Sequence, residues 1–196
     1  MKKVLLTDVD GTFLDFRNSF MRFCKDKRWI SPEYKEHERM HQIMGWTPEL
    51  SDAIVAEYSE SSFGATCELH SDAIFAMNYL KETGWDIIAI TKWHDSDQAI
   101  ENRLANISEY FGFSFFKEVH CIGLKGDKRP LLNKYVNEYD IAFWVEDHVK
   151  WAQVGAEEGA TSFLLDRGYN TAWEGLDVFR VKNWLEVCKH AKRLES

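Results

Sequence analysis

Four short runs, at 4–7, 86–91, 141–145 and 160–165, set the terms for this chain, because each is apolar nearly throughout rather than at alternate positions. A strand with one wet face alternates apolar and polar residues, whereas a continuously apolar strand needs cover on both faces, as in a parallel sheet between layers of helices. The stretches between the later runs carry helical spacing. Residues 71–81 set Ile74, Met77 and Leu80 on one stripe ahead of Gly84, and the stretch from 96 carries Ala99, Ile100, Arg103, Leu104, Ile107 and Phe111 at similar intervals. Further helices are expected over 130–139 and 148–158. From about residue 72 strand and helix alternate, which predicts an α/β fold with a mostly parallel sheet and helices on both faces.

The long interval between Asp10 and Ser71 departs from this alternation, with helical stretches at 19–28, 32–44 and 48–58 and no strand pattern. Ser31-Pro32 and Thr47-Pro48 read as helix starts with proline at the first helical position. The expected organisation is therefore a helical cap at 17–67 inserted after the first strand, with a core formed by 1–16 and 68–196. A chain of 196 residues has room for one well-buried core and such an insertion.

A formal net charge of -8 excludes affinity through a broad basic surface, so neither nucleic acid nor an anionic membrane is an expected partner. Cys24, Cys67, Cys121 and Cys188 are widely spaced, without the pairing of a zinc site, and read as reduced structural thiols. The basic, then apolar start at 1–6 is cut short by Asp8 and Asp10, too early for a signal peptide. No run approaches the length of a membrane span, and a cytoplasmic location is the expectation.

Asp8 and Asp10 follow the first apolar run directly, and in open α/β sheets ligands collect at the carboxyl ends of strands. Alternate residues of an extended segment share a side, so two carboxylates there suit a shared metal or a nucleophile beside an acid/base. Gly11 permits a sharp turn that the Thr12 hydroxyl can tie. Alone, Asp8-Val9-Asp10-Gly11 would equally describe a solvated surface turn. Three later features tip the balance. Thr91 ends the second apolar run, Lys128 stands at the start of a later helix with Lys125 as the alternative, and Glu146-Asp147 end the run at 141–145. Two adjacent carboxylates after so apolar a strand repel without a cation, and a carboxylate-rich oxygen site is what Mg²⁺ prefers.

These motifs, in this order, resemble those of the haloacid dehalogenase (HAD) superfamily, which implies a three-layer Rossmann-like core. The resemblance implies a phosphatase in which Asp8 is the nucleophile and Asp10 the acid/base, and Asp10 separates such enzymes from the family's dehalogenases, which lack a second aspartate there. It implies phosphate contacts from Thr91, Lys92 and Lys128, and Mg²⁺ held by Asp8, the Asp10 backbone carbonyl and Asp147, with Glu146 nearby. Asp15-Phe16 shortly after the first motif, the segment 163–170 and Asn183-Trp184 are similar to the 5'(3')-deoxyribonucleotidase group, in which the phenylalanine contacts the base. The expected substrate is thus a nucleoside monophosphate bound against Phe16. Lys92-Trp93-His94 departs from that group's serine and proline. Another small phosphorylated metabolite, such as a sugar phosphate or phosphoglycolate, is the alternative substrate, and a non-catalytic phosphate-binding module the alternative class. Trp29, Trp46 and Phe63 are expected to pack rather than to touch substrate.

Overall fold

The computed structural model describes residues 1–30, 40–171, 173, 175 and 177–194. Its described strands are β1 (Lys3–Thr7), β2 (Trp85–Thr91), β3 (Glu118–Cys121), β4 (Ile141–Glu146), β5 (Thr161–Leu165) and β6 (Phe179–Val181). They form one sheet in the order β3-β2-β1-β4-β5-β6, and every adjacent pair is parallel. The continuous apolar runs have the predicted cause. Leu5, Ile87, Ala89, Phe143 and Val145 enter one core, while Val4, Leu6, Ile88, Ile90 and Trp144 enter a second core on the other face.

Helices α5 (Ser71–Glu82), α6 (Asp97–Phe111) and α9 (Trp184–Arg193) contribute to the first core, and α7 (Arg129–Glu138) and α8 (Val149–Glu157) to the second. The α5 stripe differs from expectation: Ala73, Ala76, Met77 and Leu80 are buried, and Ile74 is half-buried. The edge strands β3 and β6 were not anticipated. All four β3 residues are half-buried and β6 has three residues, so neither carries a continuous apolar run.

Between β1 and α5 lie α1 (Phe16–Asp26), α2 (Met40–Met44), α3 (Pro48–Glu60) and α4 (Ser62–Ala65). Helix α1 begins earlier than its apolar spacing suggests because the Asp15 carboxylate accepts the Asn18 amide and caps it. Thr47 caps α3 in the same way with Pro48 in the first turn, whereas the expected Ser31-Pro32 start lies outside the described residues. Phe20, Phe23, Ile43, Met44, Ile54 and Tyr58 form a separate apolar cluster, joined by Trp93 and Ala99 from beyond β2. Phe63 and Trp46 pack against this cluster, while Trp29 is 37% exposed. The chain leaves for these helices and returns side by side: Asp15 N–H donates to Glu68 O (2.7 Å) and His70 N–H to Phe13 O (2.8 Å). All four cysteines are free thiols, and no helix among the described residues is long and apolar enough to cross a membrane.

Candidate active site

The strand order reverses direction at β1, whose successors in sequence lie on one side and β4 on the other, and the crevice at the carboxyl ends there is the ligand position of open α/β sheets. Register sets Thr7 beside Ala89 of β2 and Val145 of β4, so Asp8 emerges next to Glu146. The Asp8 amide donates to Val145 O (2.9 Å), and the Asp8 carbonyl accepts the hydroxyls of Thr7 (2.7 Å) and Thr12 (2.5 Å). Thr12 thus ties the turn as its position predicts. Gly11 has φ +79°, and a Cβ there would collide with the Asp147 carboxylate and the Tyr169 hydroxyl. The glycine is needed both for its conformation and for its lack of a side chain.

Every site residue predicted from sequence lines one cleft. From the sheet come Asp8, Asp10, Thr91, Lys92, Glu146 and Asp147. Lys128 joins them from the N-cap of α7, and Phe16 from the start of α1. Lys125, the alternative lysine, lines a different depression with Glu49 and Asp52.

Two charge groups divide the carboxylates. In the first, the Lys128 ammonium donates to Asp8 Oδ1 (2.6 Å) and Glu146 Oε2 (2.7 Å), while Glu146 Oε1 accepts the amides of Asp147 and His148 (both 3.1 Å). Asp8, Glu146 and Asp147 each present an oxygen within 4.8 Å of the others, and all three side chains are buried. One ammonium against three carboxylates leaves this group short of positive charge. Burial, reinforced by Glu146, pushes the Asp8 carboxyl up to about 8 in spite of Lys128. Burial likewise pushes Glu146 up to about 7 and, with Asp8, Asp147 up to about 6. Burial would lower Lys128, but Asp8 and Glu146 more than offset it, and the lysine stays charged. A divalent cation with oxygen ligands fits what this set lacks. With Glu146 occupied by a lysine and two amides, Asp8 and Asp147 are the carboxylates best disposed to take it.

In the second group, the Asp10 carboxylate pairs with Thr91 and Arg103 rather than with the lysine. Thr91 Oγ1 donates to Asp10 Oδ2 (3.1 Å) and Arg103 Nη2 to Asp10 Oδ1 (2.5 Å). Burial raises the Asp10 carboxyl, with Arg103 and Thr91 opposing.

Sequence reasoning assigned no role to six contributors. Arg103 reads as one member of an apolar helical stripe. Tyr169, in the loop after β5, donates its hydroxyl to Asp147 Oδ2, and Arg17 lies 3.9 Å above the Tyr169 ring. Arg167 from the same loop holds the Gly11 and Thr12 carbonyls at 2.7 and 3.0 Å, and Asn170 holds those of Asp147 and Leu165, both at 2.8 Å. Trp151, at the start of α8, forms a wall beside Lys92, whose ammonium is 5.2 Å from its ring. The signal for Arg103 was present in the sequence, since an arginine on the buried stripe of a helix calls for a carboxylate partner. The Phe16 ring stacks on Phe20 (5.3 Å between centroids) and meets Tyr58 and Trp93 edge-on, so its backing is aromatic and rigid.

No protein-family model matches the chain. In sequence it is similar to an uncharacterized 32.4 kDa protein of Enterobacteria phage T4, 24% identical over an alignment 161 residues long that covers 75% of this chain. The chain spans about half (54%) of that protein's length. In structure it is similar to YfnB of Bacillus subtilis, assigned to the HAD hydrolases and bound to magnesium, with a TM-score of 0.66 at 16% identity over 97% of this chain and 99% of the other. It is also similar to a HAD phosphatase from Thermococcus onnurineus (0.61, 12% identity, 96% and 97%). An L-2-haloacid dehalogenase from Xanthobacter autotrophicus with chloropropionic acid covalently bound gives 0.61 at 12% identity over 98% and 99%. The likeness is one of fold, the Rossmann-like α/β fold of HAD-superfamily hydrolases.

Proposed function

We propose that this chain is a Mg²⁺-dependent phosphomonoesterase that passes the phosphoryl group of a nucleoside monophosphate to Asp8 and then to water. The observation that carries this reading is the buried group of Asp8, Glu146 and Asp147 around a single lysine, at the carboxyl end of the central strand. Fold relatives that are called phosphatase or hold magnesium lend support, and the covalently loaded dehalogenase shows that the fold accommodates covalent chemistry. Asp10 favours the phosphatase over the dehalogenase, because phosphoryl transfer through a carboxylate needs a second proton-handling group.

Asp8, Asp147 and the Asp10 backbone carbonyl would hold the metal, with Glu146 keeping Lys128 in place. When bound, Mg²⁺ neutralises charge and lets an anionic phosphate approach an anionic carboxylate. Asp8 attacks phosphorus as the bond to the leaving oxygen breaks, and Asp10 gives that oxygen its proton. Asp10 then takes a proton from water as the water attacks phosphorus and frees Asp8. Lys128 and Lys92 stabilise the phosphoryl oxygens throughout, while the Thr91 hydroxyl donates to Asp10 instead. Phe16, backed by Phe20, Tyr58 and Trp93, offers a flat face to a base.

The test is phosphate release, with and without Mg²⁺, from ribo- and deoxyribonucleoside 5'- and 3'-monophosphates and from sugar phosphates and phosphoglycolate. Metal-dependent release from nucleotides is expected. Release only from the other esters overturns the nucleotide assignment, and no release from any ester overturns the phosphatase. Asp8→Asn should cut turnover by about 10⁴-fold or more with an unchanged melting temperature, since it removes the nucleophile and keeps its shape.

A further inference from the structure

Arg103 stands apart from every other charged group near the cleft. Its side chain is wholly buried, it comes from the middle of α6, and it is not among the residues that line the cleft. Its one ion pair is with Asp10, while its Nε and Nη1 find no hydrogen-bond partner among the described residues. A guanidinium excluded from water with two nitrogens unpaired is a poor choice for filling space, which a leucine or methionine would do without that cost. Neighbouring groups give its charge no other use: Tyr58 stays neutral, and burial pushes the Cys67 and Cys121 thiols up to about 12 and about 11.

The surroundings fix its geometry. Its guanidinium carbon lies 3.6 Å from the centroid of Trp93, and the Trp93 indole is itself held by its N–H donating to Ala99 O of the same helix (2.8 Å). One position earlier, Asn102 bonds the Ser59 and Ser61 carbonyls (3.0 and 3.3 Å). Three positions later, Asn106 bonds Cys67 O (3.0 Å). The segment of α6 that carries Arg103 is thereby clamped to α3 and to the segment returning toward α5. Thr91 restrains the other oxygen of the same carboxylate.

We infer that Arg103 is a positioning residue for Asp10: by engaging Oδ1 from beneath the cleft while Thr91 engages Oδ2, it holds that carboxylate at the angle from which it exchanges a proton with the substrate. This rests on the reading of Asp10 as the acid/base given above. Arg103 does not touch substrate. Its orientation is inherited from the packing of α6 against the inserted helices, so those helices and the proton-transfer geometry are coupled through one side chain.

The experiment is a double-mutant cycle with Arg103→Met, Asp10→Asn and the pair, assayed on an alkyl phosphate and on 4-nitrophenyl phosphate, with a crystal structure of Arg103→Met. A positioning role predicts a fall in kcat on the alkyl ester of about 10²-fold with KM nearly unchanged, because a poor leaving group depends on its proton. On 4-nitrophenyl phosphate, whose leaving group needs little help, the fall stays under about tenfold, and on Asp10→Asn the arginine change costs nothing more. Equal losses on both esters, or a loss that adds to that of Asp10→Asn, overturns the inference. Arg103→Lys, which keeps the charge but not the fork or the flat stacking, shows the same leaving-group pattern at smaller amplitude and serves in place of a methionine variant that does not fold. In the crystal structure the Asp10 carboxylate is expected to have rotated away from Thr91. A carboxylate left where it is in the parent overturns the inference even if no ester is turned over, in which case the phosphatase reading has failed separately.

Discussion

The sheet side of the cleft presents Asp8, Glu146, Asp147 and Lys128, whereas the helical side presents Phe16 with Phe20, Tyr58 and Trp93 behind it. On the sheet side, charges are buried, paired and short of one cation. On the helical side the surface is aromatic and its contacts are edge-on and stacked rings. The first arrangement depends on electrostatics in a low-dielectric setting, where a change in one partner propagates to the others. The second depends on contact area, where a change is felt locally and independently of pH. The lesson is a division of labour: the sheet side suits the chemistry common to many substrates, and the helical side suits the choice among them.

The largest test of that contrast is Lys128→Met. Removing the one ammonium leaves buried carboxylates unbalanced, and urea unfolding at pH 8 should show a loss of about 3–5 kcal/mol. At pH 5, where the carboxylates take up protons instead, the loss should shrink. A loss independent of pH would mean that the lysine acts through packing and would erase the distinction drawn here.

Next comes the response of the metal-free protein to pH. The carboxyls of Asp8, Glu146 and Asp147 are raised to about 8, about 7 and about 6 in the folded chain, from 3.8 for aspartate and 4.5 for glutamate. Groups raised in this sense contribute stability that is full below about pH 4 and is lost as pH rises toward 8, because the folded state binds more protons than the unfolded one. Mg²⁺ competes with those protons, so its stabilisation runs the other way. The Mg²⁺-induced rise in melting temperature should be about twofold or more larger at pH 8 than at pH 5.5. Equal shifts at the two pH values would place the cation elsewhere.

The smallest expected effect is on the helical side. Phe16→Ala should raise KM for nucleoside monophosphates by about tenfold, in line with the value of a single base-aromatic stack, and leave kcat on 4-nitrophenyl phosphate within about twofold. A loss of kcat on both substrates would show the aromatic wall to be part of the chemistry.

Much of this was legible in the sequence, and the reason is local. Asp8, Thr91 and Glu146 each sit where an apolar run stops, and Lys128 sits where a helix starts, so strand and helix ends announced them without any knowledge of the sheet. The edge strands β3 and β6 were silent because half-exposed, short strands lack the doubly apolar pattern. Arg103 was visible only as an oddity on a stripe. Its partner lies 93 positions away, and no spacing rule connects the two.

By itself, the sequence determined that a parallel sheet covered on both faces would form, and that carboxylates would stand at its strand ends, because burial and strand length are properties of contiguous residues. Only the tertiary structure decided which carboxylate went with which cation. The strand order put Asp8 beside Glu146 with Lys128 between them, and the packing of α6 gave Asp10 to Arg103. Ion pairs of this kind join segments that meet only when the sheet has closed, and their energy depends on the water excluded at that moment.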